Sequence, residues 1–279
     1  MILSGSASQT LAARLADELG ESLGATTTKR FPDDELHVTV TEPIDERAII
    51  VASTVSSDAH IELLQLQDAA RQAGADEVVT VLPYMGYARQ DQTFEPGDII
   101  STRAAARAIS TGTDRVLTVT PHEKNVASFF DVPTTVIDGA PRLADPLPAD
   151  LTDPLFLSTD AAAAPLATSA RDAYGAGDSD HLTDALDGER PAPTEETIAG
   201  RDVVVVDDIV GTGSTMSGAV AVVADGDAER IFATCVHPVF ATGALSKIAR
   251  VGAESIYGTD TLERVISDVS VASTIADAL

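Results

Sequence analysis

The sequence is short of positive charge. Its 279 residues include 18 lysines and arginines against 44 aspartates and glutamates, a formal net charge of -26, and the lysines are Lys29, Lys124 and Lys247 alone. Such a field repels nucleic acid and anionic membrane surfaces, so neither is expected as a partner except where arginines gather locally. There is one cysteine, Cys235, which excludes an intrachain disulfide. Its setting, IFATCVHPV, is that of a small hydrophobe in a buried strand. No apolar run is long enough to span a bilayer. The opening MILSGSASQTLAARLADELG has no basic stretch and reads as strand, turn and amphipathic helix rather than a signal peptide. A soluble, cytoplasmic protein is expected.

Strong acidity with 4% aromatic residues can signal disorder, but 44% of the chain is apolar and falls in clear strand and helix patterns. Carboxylates in place of lysine suit a protein working in concentrated salt, where screening quenches self-repulsion while the charge maintains solubility. A halophilic host with a salt-filled cytoplasm is inferred.

The length suggests two domains of about 140 residues each. In the first half MILSG, RAIIVAST, EVVTVLPY and RVLTVTP alternate with helical patterns over residues 8–23, 59–73 and 100–110. That alternation marks an α/β domain with a largely parallel sheet. The proline-rich stretch 138–154 reads as the connection into a second domain of similar plan, giving domains 1–140 and 141–279, with the last helix free to pack on the first. Residues 176–200 are polar and aperiodic, and read as a flap without regular structure.

Residues 203–216, VVVVDDIVGTGSTM, organise the second half. A β-branched run ending in turn signals reads as a buried parallel strand feeding a phosphate-binding loop. The helical pattern that follows would aim its first N–H groups at an anion. Asp207 and Asp208 beside that anion call for hydroxyls or a metal as partners, and a sugar phosphate satisfies both halves of the site. A Walker-type loop is excluded, because no lysine follows the glycines.

Three other stretches carry candidate chemistry. After EVVTV, the loop 82–98 brings Tyr84, Tyr87, Arg89, Gln90, Asp91 and Gln92 together at the C-terminal end of a strand, where open α/β sheets bind ligands. Arg89 is an anion receptor candidate there, since a guanidinium fork suits phosphate oxygens. His122 follows another strand and could serve structure, metal or phosphate equally. Phe31 to Glu35, on composition alone, is an acidic hairpin tip.

Four motifs in order, RFPDDELHV, PYMGYARQD, the histidine of TPHEKNVASFFDVP and VVDDIVGTGST, resemble those of ribose-phosphate pyrophosphokinases over nearly the whole chain. The resemblance implies two type I phosphoribosyltransferase-like domains, each with a largely parallel sheet flanked by helices. It implies an enzyme that passes the diphosphate of MgATP to the C1 hydroxyl of ribose 5-phosphate, giving phosphoribosyl diphosphate (PRPP) and AMP for nucleotide biosynthesis. By position, Phe31, Asp33 and Glu35 would contact adenine, and Arg89, Gln90 and Asp91 the rest of ATP. His122 and Asp160 would help hold Mg²⁺. Asp207 and Asp208 would bind the ribose hydroxyls, and Gly211, Thr212, Gly213, Ser214 and Thr215 the 5-phosphate. A homo-oligomer with a shared adenine pocket is further implied.

The chain departs from the family pattern in places. The family's flap lysine aligns with Gly188, while Arg190 stands at its flap arginine and is the expected catalytic cation. LSTDAAAA replaces a Pro-Asp-x-Gly pattern, keeping Asp160, and Gln92 stands where a basic residue is usual. The alternative these departures raise is a non-catalytic homologue that binds ribose 5-phosphate or nucleotide and regulates a catalytic paralogue.

Overall fold

Short β-branched runs become parallel strands, and the alanine-rich stretches between them become the covering helices. A computed structural model describes residues 1–93, 95–183, 192–193 and 196–279, the side chain of Lys124 excepted. The chain divides into two units: Met1–Asp138 with Thr261–Glu263 and Ser270–Leu279, and Gly139–Asp260 with Arg264–Val269.

The first unit runs β1 (Ile2–Ser4), α1 (Gln9–Leu19), β2 (Thr26–Arg30), β3 (Leu36–Val40), β4 (Arg47–Val51), α2 (Ser57–Gln72), β5 (Glu77–Leu82), α3 (Ser101–Ser110), β6 (Arg115–Val119) and β7 (Thr134–Ile137). Its sheet has the order β1-β4-β5-β6-β7, all parallel, while β2 and β3 form a separate antiparallel hairpin. Parallel strands covered on both faces lack polar alternation, as in AIIV of β4 and VVTVL of β5, whose residues are all buried. Leu63 and Leu66 of α2 pack with Ile50 and Leu82 in this core.

The first helix is shorter than the pattern over residues 8–23 predicts. Gly20, at φ 64°, turns its N–H back onto the carbonyls of Ala16 and Asp17 and ends α1 in a left-handed cap. The residues beyond it pair with β1 instead: Ile2 N–H donates to Ser22 O at 2.8 Å, and Gly24 N–H to Ile2 O at 2.7 Å.

The second unit runs β8 (Leu155–Ser158), α4 (Ala164–Tyr174), β9 (Asp178–His181), β10 (Asp202–Ile209), α5 (Ser214–Asp225), β11 (Arg230–His237), α6 (Ala244–Ala249) and β12 (Ser255–Gly258). Its parallel sheet has the order β12-β11-β10-β8-β9. Val203 and Val205 pack with Leu155 and Leu157 and with Val220 and Val223 of α5. The last helix, α7 (Ala272–Ala276), belongs to the first unit and packs on α1.

Residues 176–200 are not devoid of regular structure, because Asp178–His181 form the edge strand β9 beside β8. The sequence DSDH has no apolar pattern to announce it. It is anchored instead by the buried Arg201, whose Nη2 reaches Asp178 at 2.6 Å and whose Nη1 reaches Glu196 at 3.0 Å. Within that stretch, residues 184–191 with 194 and 195 lie outside the described residues.

The two sheets share one plan: a strand, a helix, an excursion, then strands added in order on one side. In that plan β10 occupies the place of β4, since each lies directly beside the first strand of its unit.

Candidate active site

In the second unit the parallel strands end together. Val206 pairs with Ser158 and Asp207 with Cys235, so residues just past β8, β10 and β11 emerge at one sheet edge. Asp207 is buried and Asp208 half-buried. Each carboxylate accepts the next backbone N–H, Asp208 N at 2.9 Å and Ile209 N at 2.7 Å, which holds the side chains against the turn. Asp160, past β8, accepts from Ala163 N at 2.9 Å. Burial first, then the charge of Asp208 and that of Asp160, pushes the Asp207 carboxyl up to about 8. The same burial, with Asp207 nearby, raises the Cys235 thiol well above its ordinary range, so this cysteine is inert.

The turn after β10 is built by close approach. Gly213 has φ 74°, and a Cβ there would lie 3.1 Å from the carbonyl oxygen of Ala244 and 3.2 Å from its Cα. Ala241 N–H donates to Gly211 O at 2.9 Å and Phe240 N–H to Val210 O at 2.9 Å, so the segment before α6 is clamped to the turn. Thr212, Ser214 and Thr215 are exposed, with the Thr212 hydroxyl donating to Ser214 Oγ at 3.2 Å. Lys247 of α6 brings its Nζ to 3.0 Å from Ser214 Oγ. No sequence motif announced this lysine; the available signal was that it follows a strand neighbouring the loop's own.

In the first unit, the loop after β5 is held from β4. Thr54 Oγ1 accepts Gly86 N–H at 2.9 Å, and Ser53 Oγ accepts Tyr84 N–H at 3.2 Å. A Cβ on Gly86 would come within 2.1 Å of Thr54 O, so only glycine fits. Tyr87 sits at φ 65°, with its ring 5.3 Å from that of His60 and its hydroxyl 3.1 Å from Ser57 Oγ. Backbone strain of this sort gathers at ligand sites. Arg89 is exposed, Gln90 accepts from the Ser101 hydroxyl, and Asp91 accepts from Asn125 Nδ2 at 2.9 Å. His122 is exposed past β6.

The hairpin tip between β2 and β3 is closed by Phe31 N–H on Glu35 O and Asp34 N–H on Phe31 O, both at 2.9 Å. Arg30 grips Asp34 at 2.9 Å and also pairs with Asp58. Phe31, Asp33 and Glu35 are exposed, with the Phe31 ring 5.3 Å from that of His37. The structure thus groups Asp160, Asp207, Asp208 and residues 211–215 in the second unit. It places Phe31, Asp33, Glu35, Arg89, Gln90, Asp91 and His122 in the first, and Arg190 lies outside the described residues.

Comparison with known proteins bears on the same two halves of the chain. Residues 1–112 match the model of the N-terminal domain of ribose phosphate pyrophosphokinase, and residues 127–272 match that of the phosphoribosyl transferase domain. A ribose-phosphate pyrophosphokinase from Halobacterium salinarum is 60% identical, the alignment covering 100% of both chains. The chain belongs to the ribose-phosphate pyrophosphokinase family. A further relative of that name, from Methanosarcina mazei, is 38% identical over 100% of this chain and 94% of its own. The fold matches the crystal structure of phosphoribosylpyrophosphate synthetase from Mycobacterium smegmatis with a TM-score of 0.85 at 24% identity, covering 100% of this chain and 96% of that one. Nothing in these likenesses favours a pyrophosphokinase homologue without activity, and the 60% identical relative is haloarchaeal, in keeping with the acidic composition.

The donors of the second-unit site suit a hard cation. Among the described residues no three histidine, cysteine or carboxylate side chains converge tightly enough to hold an ion by themselves. Mg²⁺ is usually bound by one or two carboxylates plus water and substrate oxygens, so Asp160 and the crowded, mutually repelling carboxylates beside it fit that mode. Among the described residues no helix is long and apolar enough to cross a membrane.

Proposed function

We propose that this chain transfers the diphosphate of ATP to the C1 hydroxyl of ribose 5-phosphate, producing PRPP and AMP. The observation that carries the reading is the convergence of Asp207, Asp208 and the Gly211–Thr215 turn at one sheet edge, in a chain whose other half bears the ATP-side motifs. In the reaction the C1 oxygen bonds to the β-phosphorus while the bond from that phosphorus to the α–β bridging oxygen breaks, and AMP leaves. Little covalent work falls to the protein, so catalysis is positioning and charge compensation.

In this reading Asp207 and Asp208 accept hydrogen bonds from the ribose hydroxyls and aim C1. The backbone N–H groups at the start of α5, with Thr212, Ser214 and Thr215, receive the 5-phosphate. Phe31 packs on adenine while Asp33 and Glu35 accept from its amino edge. Arg89 addresses the phosphates, with Gln90 and Asp91 fixing the nucleotide beside it, and Arg190, which lies outside the described residues, is the expected cation for the transferring group. Asp160 and His122 are the residues that would hold Mg²⁺, which when bound would supply Lewis-acid charge at the diphosphate. A homo-oligomer in a salt-filled cytoplasm, the hairpin tip serving a neighbour's adenine pocket, completes the proposal.

The test is AMP release by the purified chain given ribose 5-phosphate and MgATP in molar KCl, beside a Gly188→Lys variant. Turnover by the unmodified chain establishes synthesis of PRPP and shows that a lysine at the position of Gly188 is dispensable here. Activity in the variant alone, or ribose 5-phosphate binding without turnover in either, overturns the catalytic reading in favour of a binding subunit.

A further inference from the structure

We infer that Lys247 is a ligand of the 5-phosphate group, completing a subsite whose sequence motif contains no cation; this rests on the proposed function above. Three observations carry it. First, Lys247 lies where a phosphate would sit. Its Nζ is 3.0 Å from Ser214 Oγ, the side chain of the first residue of α5, whose free N–H groups form the anion-binding end of the turn.

Second, that position is fixed by backbone, so the lysine is not on a freely moving arm. Val210 N–H donates to His237 O at 3.1 Å, Phe240 N–H to Val210 O at 2.9 Å and Ala241 N–H to Gly211 O at 2.9 Å. Ala244, one helical turn before Lys247, packs on Gly213 itself. The turn and the start of α6 therefore form one piece, and phosphate seated on the turn faces Lys247 within the reach of its side chain.

Third, the charge has no other assignment. The chain carries 44 acidic residues, yet among the described residues Lys247 makes no ion pair and its ammonium donates to a neutral hydroxyl. Contact distance also matters in strong salt. The Debye length falls to about 3 Å at molar ionic strength, so a lysine acting across solvent is screened while one in direct contact with phosphate is not. When the sugar phosphate binds, Nζ exchanges the Ser214 hydroxyl for a phosphate oxygen, as a point-charge donor beside the N–H cradle.

The experiment compares the full chain with Lys247→Gln and Lys247→Arg in molar KCl. Ribose 5-phosphate affinity is read by titration calorimetry, the KM of each substrate by AMP release, and folding by the thermal midpoint. The expected result for Lys247→Gln is a ten- to thirtyfold loss in ribose 5-phosphate affinity and a matching rise in its KM. The KM for ATP stays within twofold and the thermal midpoint is unchanged, because the lysine is exposed. Lys247→Arg, which keeps the charge, recovers most of the loss. A lysine that merely steadied the turn would leave ribose 5-phosphate affinity intact, since glutamine still offers a donor to Ser214. Unchanged affinity in Lys247→Gln, or an equal loss in the arginine variant, overturns the assignment alone. Absence of ribose 5-phosphate binding to the unmodified chain overturns the functional reading and the assignment with it.

Discussion

Arg230 holds Asp202 by two parallel hydrogen bonds, Nε to Oδ1 at 3.1 Å and Nη2 to Oδ2 at 2.6 Å, between residues that face each other across β10 and β11. The carboxylate is fully buried and also accepts Thr152 N–H at 2.6 Å. Burial alone would raise its pKa, but the Arg230 fork and the Thr152 N–H outweigh it and hold the carboxyl below the ordinary range.

Asp202→Asn, which cannot accept from both sides, is therefore expected to lower unfolding stability by roughly 2 kcal/mol. A depressed folded pKa contributes stability that is present above the unfolded carboxylate value of about 4 and is lost as pH falls through the folded value. Thermal melts in molar KCl should separate the two proteins at pH 7 and bring them together below pH 4. A constant gap at all pH values would show that the carboxylate's charge is not what stabilises this end of the sheet.

Gly213→Ala tests the turn. At φ 74° an L-residue is strained by about 1–2 kcal/mol. The added methyl also presses on the backbone of Ala244, 3.1–3.2 Å away, which the clamp to α6 prevents from yielding. The variant should fold with a lower thermal midpoint and bind ribose 5-phosphate at least tenfold more weakly. Gly218→Ala on the same helix meets nothing within 4 Å and should stabilise α5 slightly, by up to about 1 kcal/mol, through helix propensity. Equal affinity in the two variants would remove the turn from the site.

What the sequence disclosed and what it hid follow from range. The valine run of β10, the acid pair and the Gly/Thr/Ser turn are contiguous, so strand, turn and helix could be read directly from residues 203–225. The same holds for the alternation of strand and helix and for the parallel sheets it implies. Elements defined by distant partners stayed hidden. The strand β9 exists because Arg201, more than twenty residues on, pairs with Asp178, and the DSDH sequence has no period of its own. Lys247 meets Ser214 only because β11 lies beside β10. The end of α1 was visible in Gly20, yet the apolar residues after it disguised a segment that pairs with β1. Sheet order makes β4, not β5, the counterpart of β10, a correspondence that a linear pattern cannot convey.

Gly86→Ala tests the other half of the site. The Cβ would lie 2.1 Å from Thr54 O, a backbone atom, so the loop carrying Tyr87, Arg89 and Gln90 must move away from β4 and surrender the Gly86 N–H bond to Thr54 Oγ1. If that loop serves ATP, the KM for ATP rises at least tenfold while the KM for ribose 5-phosphate stays within about twofold. The opposite split would reassign the loop to the sugar.

Asp207 carries a cost that ligand binding should offset. Its carboxyl is buried beside Asp208 and Asp160 and titrates near 8, against 3.8 for an unburied aspartate. With the folded pKa raised, the native state keeps a proton that the unfolded chain has lost, so stability falls as pH rises from about 4 to 8. Asp207→Asn removes this penalty. In the ligand-free protein the variant should match the parent near pH 4 and exceed it at pH 8.5, by roughly 2–4 kcal/mol at pH 8.5 given about 1.4 kcal/mol per pKa unit and some relief from solvent rearrangement. The same variant should lose ribose 5-phosphate binding, because one carboxylate oxygen becomes an NH₂ donor and the charge that strengthens the bonds from the ribose hydroxyls is gone. Stability gained together with affinity lost is the signature of a carboxylate kept in an unfavourable place for its ligand. Thermal melts across this pH range, paired with calorimetric titration of ribose 5-phosphate at pH 7.5, read both quantities. A variant less stable than the parent at pH 8.5 would mean that Asp207 holds the sheet edge together rather than waiting for a sugar.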